Sequence, residues 1–314
     1  MPSHKAMVAQ ERQERGIWWD KSWNVVTGCT PAGAGCDHCW ANIFTRRFPT
    51  HHGFRSVRLG SPFNEPMPFD TIMFHHDRIE QPRLKTKRKV WATCLLGDLF
   101  HEQVPDGFIY RVLEMAGECK QHVFVILTKR WERASKTLEA WCKKYKTSLP
   151  NAILMGSTWD QDSTDHAISF LSRIWVPGVE DYFRWGLHIE PLLGPIDLSP
   201  WLHPFEDEPR PADFPNECHR DAPPEREVSG EVVTWSVKRK CGYTIDEHPN
   251  PHGLAWVVVG GENGAGARKM DMRWARILAR DCEGHVPFWF KGSGGRGKGK
   301  TDLLDGKAWR ETPW

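Results

Sequence analysis

Lys89-Val90-Trp91-Ala92-Thr93-Cys94-Leu95-Leu96 is a largely apolar run that ends in Gly97-Asp98. A strand of this composition has no polar face to give to water, so it belongs in a sheet covered on both sides. Val104-Pro105-Asp106 then opens a helix in which Phe108, Val112, Leu113 and Met115 share one apolar face. The unit is strand, polar turn, helix.

That unit recurs along the chain. Residues 122–127 read as a strand ending in Thr128-Lys129-Arg130, followed by a helix over Trp131–Tyr145. Residues 151–155 end in Gly156-Ser157-Thr158 ahead of a helix over 164–174, and residues 182–189 end in Glu190-Pro191. Residues 254–259 end in Gly260-Gly261-Glu262-Asn263-Gly264 ahead of a helix over Met272–Cys282, and 286–290 end in Lys291-Gly292. Upstream, 23–27 and 71–74 read as short strands, the first leading into a cysteine loop that a helix to about Arg47 closes. Strands alternating with helices imply a parallel sheet with right-handed crossovers, and six or seven such units predict an α/β fold, a full or partial barrel.

The 314 residues suffice for such a barrel and its core. Residues 1–22 read as a polar N-terminal arm, 23–202 as the first part of the barrel with the cysteine loop, and 254–314 as its last strands and tail. Between them, 203–253 is a Pro- and charge-rich insertion with at most a hairpin near 231–237. A hydrophobic content of 39% with 26% charged residues is ordinary for a globular chain, so disorder is not the default expectation. The net charge of +2 gives little support to strong nonspecific nucleic-acid binding. The basic runs at 83–89 and 291–300 read chiefly as solvated surface. No apolar run approaches the ~20 residues of a membrane helix, and the polar start has no secretory apolar core. A cytoplasmic protein without membrane attachment is expected. The seventeen tryptophans serve either core packing or ligand stacking.

Nine cysteines in a reducing compartment point to metal chemistry before disulfides. Cys29, Cys36 and Cys39 follow the spacing C-x6-C-x2-C on a loop that Pro31, Gly33 and Gly35 make turn-prone. Thiolates suit zinc or iron-sulfur clusters. Structural zinc requires a fourth ligand, for which His38, His51 and His52 are nearest. A cubane cluster on three cysteines leaves one iron open, and unliganded thiols are the third alternative. Tight spacing with loop glycines places the cluster ahead of the other two. Cys218, His219, Cys241, His248 and His252 are spaced poorly for a second metal, and a solvated insertion is the better reading.

In a barrel, chemistry gathers on the loops that follow the strands. Asp98, His101, Lys129, Arg130, Ser157, Glu190, Glu262 and Lys291 all fall there, together with the cysteine loop. Taken singly, each is as readily a helix cap or a loop ion pair; their convergence is the signal.

The cysteine loop, residues 96–105, Leu127-Thr128-Lys129-Arg130, residues 189–196 and residues 258–264 resemble, in order, a phage-borne family of unknown function. That family is named for phage gene products thirty-seven and sixty-eight and associated with a three-Cys motif. The likeness runs from about Trp23 to the tail around Trp309, apart from the insertion. Trp40 stands where the family has tyrosine, Asn263 where it has serine, and Gly292-Ser293 where a Gln-Trp pair is usual.

The resemblance implies a radical-SAM-like partial barrel with a [4Fe-4S] cluster on Cys29, Cys36 and Cys39, although this loop is three residues longer than the common C-x3-C-x2-C. It also implies S-adenosylmethionine at the open iron, cleaved to a 5′-deoxyadenosyl radical that takes hydrogen from a substrate. On that expectation Gly97, Asp98, Ser157, Gly260, Gly261 and Glu262 hold the cofactor, with Asp98 accepting from its ammonium and glycines allowing close approach. Glu190, Lys129 and Lys291 are the candidate catalytic residues, the two lysines with Arg130 suited to a carboxylate or phosphate. A reductant protein is the expected partner, a nucleotide or nucleic acid the expected substrate, and a bacterial host cell the setting if the chain is phage-encoded. The alternatives are a zinc-stabilised nucleic-acid-binding protein and a noncatalytic phage scaffold.

Overall fold

The computed structural model describes residues 16–48, 68–172, 174, 183–202, 225–229, 232–236, 254–264, 266–295 and 301–314. In chain order its strands are β1 (Lys21–Trp23), β2 (Val26–Thr27), β3 (Met73–Phe74), β4 (Val90–Thr93), β5 (Val123–Thr128), β6 (Ala152–Thr158), β7 (Arg184–Ile189), β8 (Glu225–Ser229), β9 (Val232–Ser236), β10 (Leu254–Gly260) and β11 (Phe288–Gly292). The helices are α1 (Trp40–Arg47), α2 (Asp106–Glu118), α3 (Trp131–Tyr145), α4 (Gln161–Leu171), the single turn α5 (Ser199–Leu202) and α6 (Met272–Cys282).

Seven strands form one parallel sheet in the order β1-β4-β5-β6-β7-β10-β11, curled into a half-barrel. The two edge strands do not pair, so of the two forms expected the partial one is found. Neighbours in sequence are neighbours in the sheet because each crossover helix packs back on the strands it joins. Side chains alternate along each strand, giving every strand one residue set per face. On β5, Phe124 and Ile126 join the core under the helices with Ile109, Leu113 and Leu138. Val125 faces the other way and joins Ala92, Ile153, Met155 and Val258 on the concave side. Trp18, Trp256 and Trp289 complete that side, with ring centroids 5.2 and 6.3 Å apart, and Trp314 closes over Trp256 at 5.0 Å. These tryptophans are core, and burial of a large apolar side chain contributes about 1.5–3 kcal/mol.

Some boundaries differ from the sequence reading, each for a local reason. The strand expected over 23–27 divides: Lys21–Trp23 pairs with β4, whereas Val26–Thr27 pairs antiparallel with β3. The sheet therefore takes in Lys21 and Ser22, ahead of the boundary read at 23. The run from Lys89 leaves the sheet after Thr93, because Cys94 adopts φ +57°. Helix α4 begins at Gln161, three residues earlier than the periodicity suggests. Asp160 caps it, its carboxylate accepting from the Ser163 N–H at 2.9 Å while Ser163 Oγ accepts from the Asp160 N–H at 3.0 Å. Strands β8 and β9 form an antiparallel pair close to the expected hairpin. The rest of 203–253, with Cys218, His219, Cys241, His248 and His252, lies outside the described residues, as do His51 and His52. Among the described residues no helix is long and apolar enough to cross a membrane.

Candidate functional site

Gly28 turns the chain out of β2 with φ +87°, and a Cβ there would strike the Thr71 carbonyl oxygen. Its N–H donates to Leu96 O at 2.9 Å, and the Cys29 N–H donates to Phe69 O at 2.9 Å. The facing Gly97 is equally confined, since a Cβ would stand 2.8 Å from Val26 O. One 3-10 turn over Ala34–Cys36 and then α1 carry the other two cysteines. Cys29, Cys36 and Cys39 form no disulfide, are partly exposed, and together line a cavity of about 540 Å³. As they stand, no three His, Cys, Asp or Glu side chains among the described residues are gathered into a group that would hold an ion. Burial pushes the Cys29 thiol up to about 12, with the Asp98 carboxylate adding to the effect and Arg130 opposing it.

The cysteine loop lies on Trp159. A Cβ on Gly33 would overlap the Trp159 ring, and one on Gly35 would stand 2.7 Å from its Cε3. Neither glycine is in the left-handed region, Gly33 being extended at φ 162°. Their smallness, and not only their turn-forming freedom, lets the loop main chain lie against an indole.

Arg130, at the carboxyl end of β5, ties this loop to the strand ends. Its Nη2 donates to Thr30 O at 3.1 Å and Thr30 Oγ1 at 3.0 Å, its Nη1 reaches Cys29 Sγ at 3.5 Å, and its Nε donates to Glu102 at 3.0 Å. His101 Nδ1 accepts from the Gln103 N–H at 3.2 Å, which assigns the proton to Nε2, 2.9 Å from Thr30 Oγ1. Asp98 is buried beneath them. Its Oδ1 accepts from the Phe100 N–H (3.0 Å) and Thr128 Oγ1 (2.8 Å), and its Oδ2 from the Lys129 N–H (3.0 Å) and Arg130 Nη1 (3.4 Å). With four protein donors, this carboxylate is a strut between loops.

Glu262 is engaged in the same way. Its Oε2 accepts from His38 Nδ1 at 2.8 Å and the Arg268 N–H at 2.7 Å, and its Oε1 from Arg268 Nη2 at 2.6 Å. Arg268 continues to Asp37 Oδ2 at 3.0 Å and Ala34 O at 2.8 Å. Although burial works to raise it, these hydrogen bonds hold the Glu262 carboxyl down at about 2. The residue clamps the cysteine loop to the turn after β10. His38, a candidate fourth zinc ligand, has one ring nitrogen committed to this clamp and does not line the thiol cavity.

Glu190 and Lys291 form an ion pair, with His188 Nε2 3.3 Å from the same carboxylate oxygen. Burial and then the Lys291 charge push His188 down to about 3, so it is neutral. Burial opposes ionisation of Glu190, yet Lys291 and His188 keep its carboxyl below the ordinary range. Ser157 is buried beside His188 in the β6/β7 register. A Cβ on Gly260 would stand 3.3 Å from both Glu190 and Lys291, and one on Gly261 would strike the Ser293 carbonyl. The space that the glycines at 260 and 261 leave is thus filled by the protein itself. Asn263 Nδ2 reaches Gly261 O at 3.2 Å, closing that turn.

Residues 14–313 match the model of a family described as a protein of unknown function, DUF5131. The chain belongs to this family. Comparison with curated proteins and with solved structures gave no match. The site in this DUF5131 member therefore rests on its own geometry. That geometry gathers the three cysteines, Asp98, His101, Lys129 and Arg130 on adjoining loops, with Glu190 and Lys291 paired next to them. Trp159 and Arg268 were not singled out by the sequence reading. Trp159 follows directly on β6, at the kind of strand end that carried the other candidates, whereas Arg268 carries no signal in its own stretch.

Proposed function

We propose that this protein is a radical S-adenosylmethionine enzyme whose Cys29, Cys36 and Cys39 hold a [4Fe-4S] cluster. The observation that carries the reading is one cavity lined by three undisulfided thiols, beside the carboxyl ends of a parallel half-barrel. The donor set fits that group in its chemistry. Three soft thiolates would hold such a cluster, and His38, the candidate fourth zinc ligand among the described residues, does not line the thiol cavity. When bound together with S-adenosylmethionine, such a cluster supplies one-electron cleavage of a sulfonium and hence removal of an unactivated hydrogen atom.

The chain's own residues have separate tasks on this reading. Cys29 gives up its proton on binding metal, and the neighbouring Arg130 guanidinium compensates the resulting charge. Trp159, Arg130 and Arg268 hold the loop at separate points, so the ligands are presented by a supported main chain. Glu190 and Lys291, paired and partly exposed, offer a substrate both an acceptor and a donor. A reductant protein, of a bacterial host if the chain is phage-encoded, completes the reading.

Anaerobic reconstitution, with iron, sulfide and zinc assayed together and electron paramagnetic resonance recorded with and without S-adenosylmethionine, tests it. A reduced cluster signal that changes on adding the cofactor is expected. Stoichiometric zinc with no cluster would overturn the reading and favour a zinc-stabilised binding protein.

A further inference from the structure

A second and larger cavity, about 1330 Å³, runs across the first turns of α3 and α4 and shares Thr30 and Pro31 with the thiol cavity. Its volume exceeds the roughly 300–1,000 Å³ usual for small-molecule sites. One wall is a series of rings: Trp159 to Trp131 at 5.9 Å, Trp131 to His166 at 5.6 Å, His166 to Phe170 at 5.2 Å. The indole N–H of Trp131 is buried and meets no acceptor among the described residues.

The charges around the groove are mostly spent. Lys136 pairs with Glu132 at 2.6 Å, and Arg133 binds Val104 O and Asp106. Arg130 holds Thr30 and Glu102, and Asp160 caps α4. Lys129 differs. Its N–H serves Asp98, but among the described residues its ammonium enters no ion pair. Its Cε lies 3.4 Å from the point above Gly35 that the Trp159 ring also approaches, at 2.7 Å. Among the described residues, Lys129 is thus the groove's one cation without an ion pair; its charge, felt by Glu190 and His188, stands beside the ring wall, next to the cysteine loop.

We propose that this groove is the substrate site, and that it takes a flat unsaturated ring carrying a single anionic group, from a nucleoside monophosphate or an aryl carboxylate. Rings stack on the aromatic wall and the anion meets Lys129. A polyanionic strand is disfavoured, because its further phosphates would face cations already neutralised by protein carboxylates. The role as substrate site rests on the radical reading above, whereas the binding itself does not.

Isothermal titration of the full chain with AMP, UMP and indole-3-acetate, against adenosine and inorganic phosphate as controls, tests the inference. At least one ring-plus-anion probe is expected to bind about tenfold more tightly than either control, a difference of about 1.4 kcal/mol. Lys129→Met should abolish that gain with little change in melting temperature, since among the described residues the ammonium makes no ion pair and only its longer-range attraction to Glu190 is lost, and Lys136→Met should leave it intact. The inference is overturned by equal binding of probes and controls, by binding that survives Lys129→Met, by tighter and steeply salt-dependent binding of a single-stranded oligonucleotide, or by direct competition from S-adenosylmethionine. Iron content measured on the same preparations keeps the two ideas apart. Probe binding without iron uptake keeps the groove and sinks the radical reading; iron uptake without probe binding does the reverse.

Discussion

Replacing Glu262 with Gln removes the charge at the centre of the clamp while keeping its shape. The native carboxyl is held at about 2 against an ordinary 4.5. At about 1.4 kcal/mol per pH unit of displacement, that is worth roughly 3 kcal/mol. Glu262 is itself only 5% exposed, but Arg268 is 31% exposed, and water screening brings the figure to roughly 2–3 kcal/mol. The sign follows from a depressed acid. The contribution is complete above about pH 4.5, where the unfolded carboxyl is ionised, and is lost as the pH falls toward about 2. Urea denaturation of both proteins at a series of pH values reads this directly. Other carboxylates titrate alike in the two chains and cancel in the difference. The expected result is a gap of roughly 2–3 kcal/mol at pH 7 that narrows steadily below about pH 4.5. A gap under about 0.5 kcal/mol at neutral pH, or one that stays constant into acid, would refute the argument that charge holds the clamp.

Other consequences can be checked separately. Cys36→Ala should abolish iron uptake and the paramagnetic signal, while circular dichroism shows the fold retained. Gly33→Ala should destabilise by about 1–3 kcal/mol through overlap with Trp159. In a Trp159→Ala background the same change should cost much less, and a double-mutant cycle showing simple additivity would remove Trp159 from its place under the loop. With its thiol at about 12, metal-free Cys29 should react with iodoacetamide at least about a hundredfold more slowly at pH 8 than an unperturbed thiol, as peptide mapping would show.

Much of the scaffold was legible in the chain because a buried parallel strand and an amphipathic helix each write a pattern at short range. The helix over Asp106–Glu118 stands where its apolar spacing places it, and those over Trp40–Arg47, Trp131–Tyr145 and Met272–Cys282 stand where the sequence reading sets them. The strand ends at Asp98, Lys129, Glu190 and Glu262 were legible for the same reason, since apolar runs stop where the polar loops begin. The split between β1 and β2 was not, because it depends on which partner strand each half meets.

The sequence alone determined the strand-helix order, the placement of the polar residues after the strands, and the three thiols of one loop, all properties of neighbours along the chain. Only the tertiary structure decided what those residues do to one another. That Asp98 meets Thr128 and Arg130, and Glu262 meets His38 and Arg268, is visible only in the fold. Gly33 and Gly35 read as turn residues until Trp159 is seen beneath them. A hydrogen bond or a packed ring depends on separations of a few ångströms between residues more than a hundred positions apart, and local pattern carries no record of those distances.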